Sequence, residues 1–302
     1  MAHIGVIRCL EDHGFNIRYV AGSSIGSIVG GVYAAGKLDA FTDWAVALRK
    51  RDVYRLLDFS FGDGALFKGD RIIEVLRELI GERVIEELDI GYTAVAADIA
   101  FGGKGKEVWF TEGSLFDAMR ASMAVPSFFS PLIQNGQILV DGGVINPVPV
   151  APTLNDRTAL TFAVSLNGAY DPALDPREEP EESQPSDNPI VIAYQKSIGQ
   201  FIENLWPEDA KPDEELGQEL GLTDVMVRSM EVMQAALTQF KLAATAPSYM
   251  LEMPVNLCSF LDFHRAEALI DYGYQRTEAL LRYHNIEPVE PPAAEPVETA
   301  TT

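Results

Sequence analysis

The sequence is short of cationic side chains. Its 302 residues carry 23 Lys and Arg against 45 Asp and Glu, a formal net charge of −22. The phosphates of nucleic acid need cationic partners, so no nucleic-acid partner is expected. Anionic lipid is drawn to polybasic segments, so purely electrostatic docking on such a surface is disfavoured too, and any lipid contact has to be mainly hydrophobic. Cysteine is almost absent. Cys9 and Cys258 both lie in apolar surroundings and read as buried thiols rather than as a disulfide framework or metal site. His3, His13 and His284 have no acid-spaced pattern for holding a metal, so neither metal nor cofactor is expected. No run of 18 apolar residues suggests a membrane span, and no signal peptide is visible. The expected location is the cytoplasm, with transient peripheral membrane contact through an apolar surface.

What is present is apolar and α/β-patterned. The chain is 47% hydrophobic, enough for a sizeable core. "AHIGVIRCLEDHG" reads as a helix stopped by Gly14, and "IRYVAG" as a short strand. Ile25 to Ala35 reads as a small-residue helix ended by Gly36, and "YTAVAADI" and "KEVWF" as paired strands. Ser114 with Asp117 forms a capping box for "LFDAMRASMA", which stops at Pro126. Asn135-Gly136 marks a hairpin between "PLIQ" and "QILV", and "TALTFAVSL" is a further strand. The mixture favours an α/β domain with a central sheet. Three segments stand apart. The loop 171–189 opens "DPALDPREEPEESQPSDN", with seven acids and four prolines, and 207–219 is a second acidic break. The Pro/Glu-rich tail 286–302 is expected to be disordered. The expected organisation is one domain over 1–285, with a core at 1–170 and a C-terminal helical part at 220–285.

The stretch "YVAGSSIGSIVGG" contains G-x-S-x-G in one frame only, Gly22-Ser23-Ser24-Ile25-Gly26. A serine at a sharp strand-to-helix turn exposes its Oγ, and flanking glycines let neighbouring chain pass close. The helix that follows directs its positive end at the site. From the motif alone, a Gly/Ser-rich helix start packed on the sheet is an equal reading. Dinucleotide and P-loop patterns are absent from the stretch. A nucleophilic serine needs a base. Asp141, at the end of "ILVD" and followed by Gly142-Gly143, is placed where a site could be. The bland alternative is an Asx turn, common for Asp before Gly.

Taken together, Gly22 to Gly26 with "SIVGGVYAAG", then "ASMAVPSFFSP", then Asp141-Gly142-Gly143 with "VINPVPV", resemble the patatin-like phospholipase family in order and spacing. The resemblance is closest to small bacterial members related to neuropathy target esterase and covers about residues 1–152. "LDFHRAEALIDYGY" also resembles the end of those members. The resemblance implies a three-layer α/β/α sandwich with a central, mostly parallel sheet. It implies a Ser–Asp dyad without histidine, with Ser24 as nucleophile and Asp141 as base, acting on lipid or fatty-acyl esters. The family pattern also has a Gly-rich loop, roughly G-G-G-x-R-G, whose N–H groups form an oxyanion hole. The sequence opens at Met1 inside the helix that should follow that loop, so the loop is expected to be missing and the activity of the 302-residue chain feeble. The competing expectation is a non-catalytic acyl-binding or interaction protein.

Ser24, Asp141 and His264 follow the chain order of α/β-hydrolase triads. However, only 23 residues precede the serine, and "LDFHRAE" reads as a helix start, so His264 is expected to be an ordinary polar residue. Leu222, Met226, Met230, Met233, Leu237 and Phe240 recur at helical spacing. A core-facing helix is the common meaning of such a stripe, and beside a site it would accommodate an acyl chain.

Overall fold

The computed structural model describes residues 1–58, 66–100, 105–154, 156, 158–174, 222–259 and 262–288. The chain divides into two compact units, Met1–Asp171 with Met230–Thr302, and Pro172–Ser229. Nearly all described residues belong to the first. The acidic stretches beyond residue 174 and the tail beyond residue 288 lie outside the described residues.

The sheet is built around β2 (Gly91–Asp98), an Ala/Val-rich strand whose residues Tyr92 to Ala97 are all buried. An apolar run without alternation is what a strand covered on both faces requires. β1 (Tyr19–Ser23) pairs with the first part of β2 in parallel, from Tyr19 opposite Gly91 to Ser23 opposite Val95. β3 (Lys106–Phe110) runs antiparallel along the other edge, Ala94 to Asp98. β5 (Gln137–Asp141) pairs antiparallel with Ala96 to Asp98 and forms a hairpin with β4 (Leu132–Gln134). Asn135 and Gly136, both at positive φ, make that hairpin turn, as their residue types favour. β6 (Phe162–Gly168) and β7 (Tyr249–Pro254) form a separate parallel pair. The architecture is thus α/β with a mixed sheet and helices on both sides. Among the described strands, β1–β2 and β6–β7 pair in parallel, while β3, β4 and β5 pair antiparallel because the Asn-Gly hairpin and the β2–β3 connection reverse the chain locally; Phe67 and Phe129 form an isolated parallel bridge.

One detail of register positions the site. β2 residues 94 and 95 pair with both β1 and β3, and residues 96 to 98 with both β3 and β5. β1 and β5 therefore follow one another along the same edge of β2. Ser23 lies opposite Val95 and Asp141 opposite Ala96, consecutive residues of one strand.

Helices α1 (Ala2–Asp12), α2 (Ile25–Ala34), α3 (Leu38–Ala47), α4 (Lys50–Leu56), α5 (Asp70–Ile80), α6 (Leu115–Ser122), α7 (Leu222–Ala244) and α8 (Ala266–His284) complete the described fold. α2 and α6 lie on β2, and α1 packs along α8. Ser114 Oγ accepts the Asp117 N–H at 3.2 Å, capping α6 as its sequence predicts. Leu115, Phe116, Met119 and Ala121 of α6 are fully buried with Val95 and Ala96 of β2, the centre of the core.

Two expectations are corrected. Cys9 is buried but Cys258, in the turn after β7, is exposed. The α7 stripe is not core-facing throughout: Met226, Met233 and Phe240 are exposed, Phe240 at 76%. The physical reason lies on the opposite side of α7. Gln234, Thr238 and Lys241, spaced at i, i+4 and i+7, take the inward positions, with Thr238 buried and Lys241 Nζ 2.6 Å from Glu107 Oε2. Leu242 also packs inward, on Val148, Val150 and Ala163, so the part of the stripe turned outward is Met226, Met233 and Phe240.

Candidate active site

The turn around Ser24 is held from every side. β1 ends at Ser23 and α2 begins at Ile25, so Ser24 alone makes the turn. Its backbone sits at φ 56°, ψ −130°, a region non-glycine residues rarely adopt and one that costs ~1–3 kcal/mol. The Ser24 N–H donates to Ser122 Oγ at 3.1 Å and to the Ser122 carbonyl at 3.2 Å. The Ser24 carbonyl accepts from Ser27 Oγ at 2.7 Å and from the N–H groups of Ser27 and Ile28. Gly22 is a steric necessity, since a Cβ there would lie 2.3 Å from the Gly26 carbonyl carbon. Gly26 is less constrained, because a Cβ at that position meets only His3 Nε2 at 3.8 Å.

Adjacent serines are treated differently. Ser23 is buried, and its Oγ donates to the Asn146 carbonyl at 2.7 Å. Ser24 is half-buried, and its hydroxyl is one of the groups that hold the Asp141 carboxyl down. Of the two, the serine at the centre of the G-x-S-x-G frame is the more exposed.

Asp141 is 1% exposed. Its N–H donates to the Ala124 carbonyl at 2.9 Å. Its Oδ1 accepts the Gly143 N–H at 2.6 Å, the Asx turn that Asp before Gly favours. Its Oδ2 is buried and has no hydrogen bond among the described residues. Burial pushes the Asp141 carboxyl up from 3.8 to about 6, while the Ser24 hydroxyl and the Gly143 N–H pull the other way. One oxygen thus makes the Asx turn, and the other has no hydrogen bond among the described residues. Gly142 lets the loop cross the end of the sheet, since a Cβ there would lie 2.2 Å from the Val95 carbonyl oxygen and 2.8 Å from Ser23 Oγ.

Sequence reasoning missed the supports behind these two turns. Asn146, 2% exposed, donates from Nδ2 to Glu107 Oε1 at 2.8 Å, and Glu107 pairs with Lys241 of α7. Those contacts and the Lys241 charge hold the Glu107 carboxyl below its usual range even though burial opposes them. Tyr92 donates its hydroxyl to the Ser27 carbonyl at 2.8 Å, bracing the start of α2 from β2. His264 lies in a short helical turn, Asp262–Arg265, beside α3 and α4, and is not among the groups acting on Asp141. Among the described residues, no group of three or more His, Cys, Asp or Glu could hold a metal ion.

The fold and site define an α/β protein in which a G-x-S-x-G strand-to-helix turn abuts a buried Asp-Gly-Gly loop. A family model described as "Patatin-like phospholipase" matches residues 1–154, and the chain belongs to that family. It is 34% identical to an uncharacterized NTE family protein of Mycobacterium tuberculosis, over 97% of this chain and 91% of that protein. It is 26% identical to the human patatin-like phospholipase domain-containing protein 6, over 92% of this chain and 19% of the human protein. A solved structure, VipD from Legionella pneumophila, matches with a TM-score of 0.42 at 14% identity, over 94% of this chain and 64% of that one. Membership of this family implies lipid acyl hydrolase activity.

Proposed function

We propose that the protein is a serine acyl-ester hydrolase of lipid or fatty-acyl esters, working through a Ser24–Asp141 dyad and an acyl-enzyme. One observation carries the reading. A half-buried serine on a strained turn and a buried carboxyl, whose Oδ2 has no hydrogen bond among the described residues, end two strands that meet consecutive residues of β2, Ser23 opposite Val95 and Asp141 opposite Ala96. In the first half-reaction, Asp141 takes the Ser24 proton as Oγ attacks the ester carbonyl carbon. The tetrahedral intermediate collapses with cleavage of the bond to the alcohol, which leaves with the proton from Asp141. In the second, Asp141 takes a proton from water, the hydroxide attacks the acyl carbon, and Ser24 recovers the proton as the fatty acid departs. A carboxyl pushed up to about 6 is a better base than an ordinary aspartate, yet still ionised at neutral pH. The N-terminus of α2 begins immediately after Ser24, and its partial positive charge favours the developing oxyanion.

The outward face of α7 suits contact with a lipid surface. Val232, Met233 and Phe240 are exposed, and residues 232–240 contain no charge in a chain of net −22. Their companions on the inner face, Gln234 and Lys241, reach Gly143 and Glu107 beside the catalytic loop. A neutral or zwitterionic lipid surface is the complementary partner. The non-catalytic acyl-binding alternative draws no support from this geometry, because a binding protein has no use for an unspent buried carboxylate beside a strained serine. The test is hydrolysis of p-nitrophenyl esters by the wild type, Ser24→Ala and Asp141→Asn. Turnover lost in both variants supports the dyad, and wild-type rates in either one remove that residue from the mechanism.

A further inference from the structure

We infer that Ser122 is a positioning residue of the site, the clamp that fixes the serine turn against the aspartate turn. The inference rests on the dyad reading above. Ser122 is the last residue of α6 and is fully buried. Its hydroxyl accepts the Ser24 N–H at 3.1 Å and donates to the Val95 carbonyl at 2.6 Å. Val95 is the β2 residue opposite Ser23, so one hydroxyl joins the strained turn to the strand on which the turn is registered. Two residues later, the Ala124 carbonyl accepts the Asp141 N–H at 2.9 Å. A three-residue segment, Ser122-Met123-Ala124, therefore holds the backbone of both dyad residues.

The arrangement answers a physical requirement. A backbone at φ 56°, ψ −130° persists only when its surroundings over-determine it. The two contacts to Ser122 are the hydrogen bonds the structure gives the Ser24 N–H, and the side-chain one is the only one a substitution can remove without moving the chain. With that acceptor gone, the turn can relax and carry Oγ away from Asp141. Misplacement by about 1 Å can cost ~10²-fold in rate, without weakening the binding of an acyl chain. Relaxation also removes the Ser24 hydroxyl's influence on Asp141, which holds that carboxyl down. The other influences on Asp141 are burial and the Gly143 N–H, and no charged side chain is among them. The nearby acid Glu107 is paired with Lys241.

The experiment measures pH profiles of p-nitrophenyl ester hydrolysis for the wild type, Ser122→Ala, Ser122→Cys and Thr277→Ala, with Ser24→Ala as the assay's own control. Thr277 is also fully buried, its hydroxyl donating to the Gly273 carbonyl within α8, so its variant reports the cost of losing a buried hydroxyl away from the site. Ser122→Ala is expected to lower kcat by about 10- to 100-fold with KM within twofold, and to move the acid limb of kcat/KM to higher pH. Ser122→Cys keeps the volume and a weak acceptor, so it should shift both quantities in the same direction by less, and it carries the test if the alanine variant does not fold. Thr277→Ala should leave the acid limb where it is. An unmoved limb and unchanged kcat in both Ser122 variants, with Ser24→Ala inactive, overturn the clamp and leave the dyad standing. Wild-type activity in Ser24→Ala overturns the dyad itself.

Discussion

The serine turn and α7 solve opposite problems. At Ser24 every backbone group is used: the N–H on Ser122, the carbonyl on Ser27 and Ile28, and the preceding Gly22 pressed on Gly26. The side chain is what this network leaves to the proposed chemistry. On α7 the polar residues Gln234, Thr238 and Lys241 take the inward positions, and the large apolar ones, Val232, Met233 and Phe240, are left outside. The first region spends polar groups to fix one hydroxyl. The second leaves apolar surface exposed that folding alone would bury. On the proposed function, the first region positions the reacting atom and the second meets the lipid surface.

Substitution at the serine turn has the most to lose. Ser24→Ala should reduce ester turnover by at least ~10³-fold while leaving urea-denaturation stability near that of the wild type, because the reactive hydroxyl contributes little to holding the fold. A stability loss as large as the activity loss would mean that Ser24 is structural.

Asp141→Asn separates chemistry from stability. Turnover should fall ~10²–10⁴-fold with loss of the base. Stability should change in the other direction. The folded carboxyl sits at about 6 against 3.8 for the ordinary group, so between those values the native state binds more protons than the unfolded one. Wild-type stability therefore falls as pH rises through that window, by roughly 3 kcal/mol in all, and the asparagine variant lacks this loss. Unfolding curves at pH 4 and pH 8 should show the variant gaining on the wild type at the higher pH. Parallel behaviour at both would mean that the carboxyl is not buried as described.

Gly22→Ala tests the steric half of the turn. Its Cβ would meet Gly26 backbone at 2.3 Å, where nothing flexible can yield. A destabilisation of about 3 kcal/mol or more is expected, well beyond the range of surface substitutions. The matching change Gly26→Ala, facing only the His3 ring, should cost under ~1 kcal/mol. Equal costs for the two would remove the asymmetry on which the steric argument stands.

The smallest effect belongs to α7. Met233→Ser with Phe240→Ser should change stability by less than ~1 kcal/mol, since both side chains are largely exposed. Soluble short-chain ester turnover should stay at the wild-type level, while turnover of zwitterionic vesicles or micelles should drop several-fold. Equal loss on both substrates would place α7 in the chemistry rather than in the docking.

How much of this was legible in the sequence follows from how local each signal is. The serine turn, the Asn135-Gly136 hairpin and the Ser114 cap are written within a few residues, where glycine, asparagine and capping hydroxyls have fixed backbone meanings. Asp141 was legible only as an acid before two glycines, and its partnership with Ser24 came from family resemblance. The sharing of one β2 edge by β1 and β5, which brings the two residues together, leaves no local trace. Ser122, Asn146 and Lys241 were invisible as supports, because their partners lie 98, 123 and 134 residues away along the chain. The spacing of the α7 stripe was read correctly and its direction was not. A periodic apolar face has the same spacing whether it turns inward or outward, and the Lys241–Glu107 pair decides between them.

The proposed mechanism makes Ser24, and not its neighbour Ser23, the reacting hydroxyl. Labelling with a long-chain alkyl fluorophosphonate, followed by peptide mass spectrometry, tests it most directly. Modification should occur on Ser24 alone, rise with pH as Asp141 ionises near 6, and vanish in Ser24→Ala. Adduct on Ser23 or on any other residue, or undiminished labelling of Ser24→Ala, would contradict it.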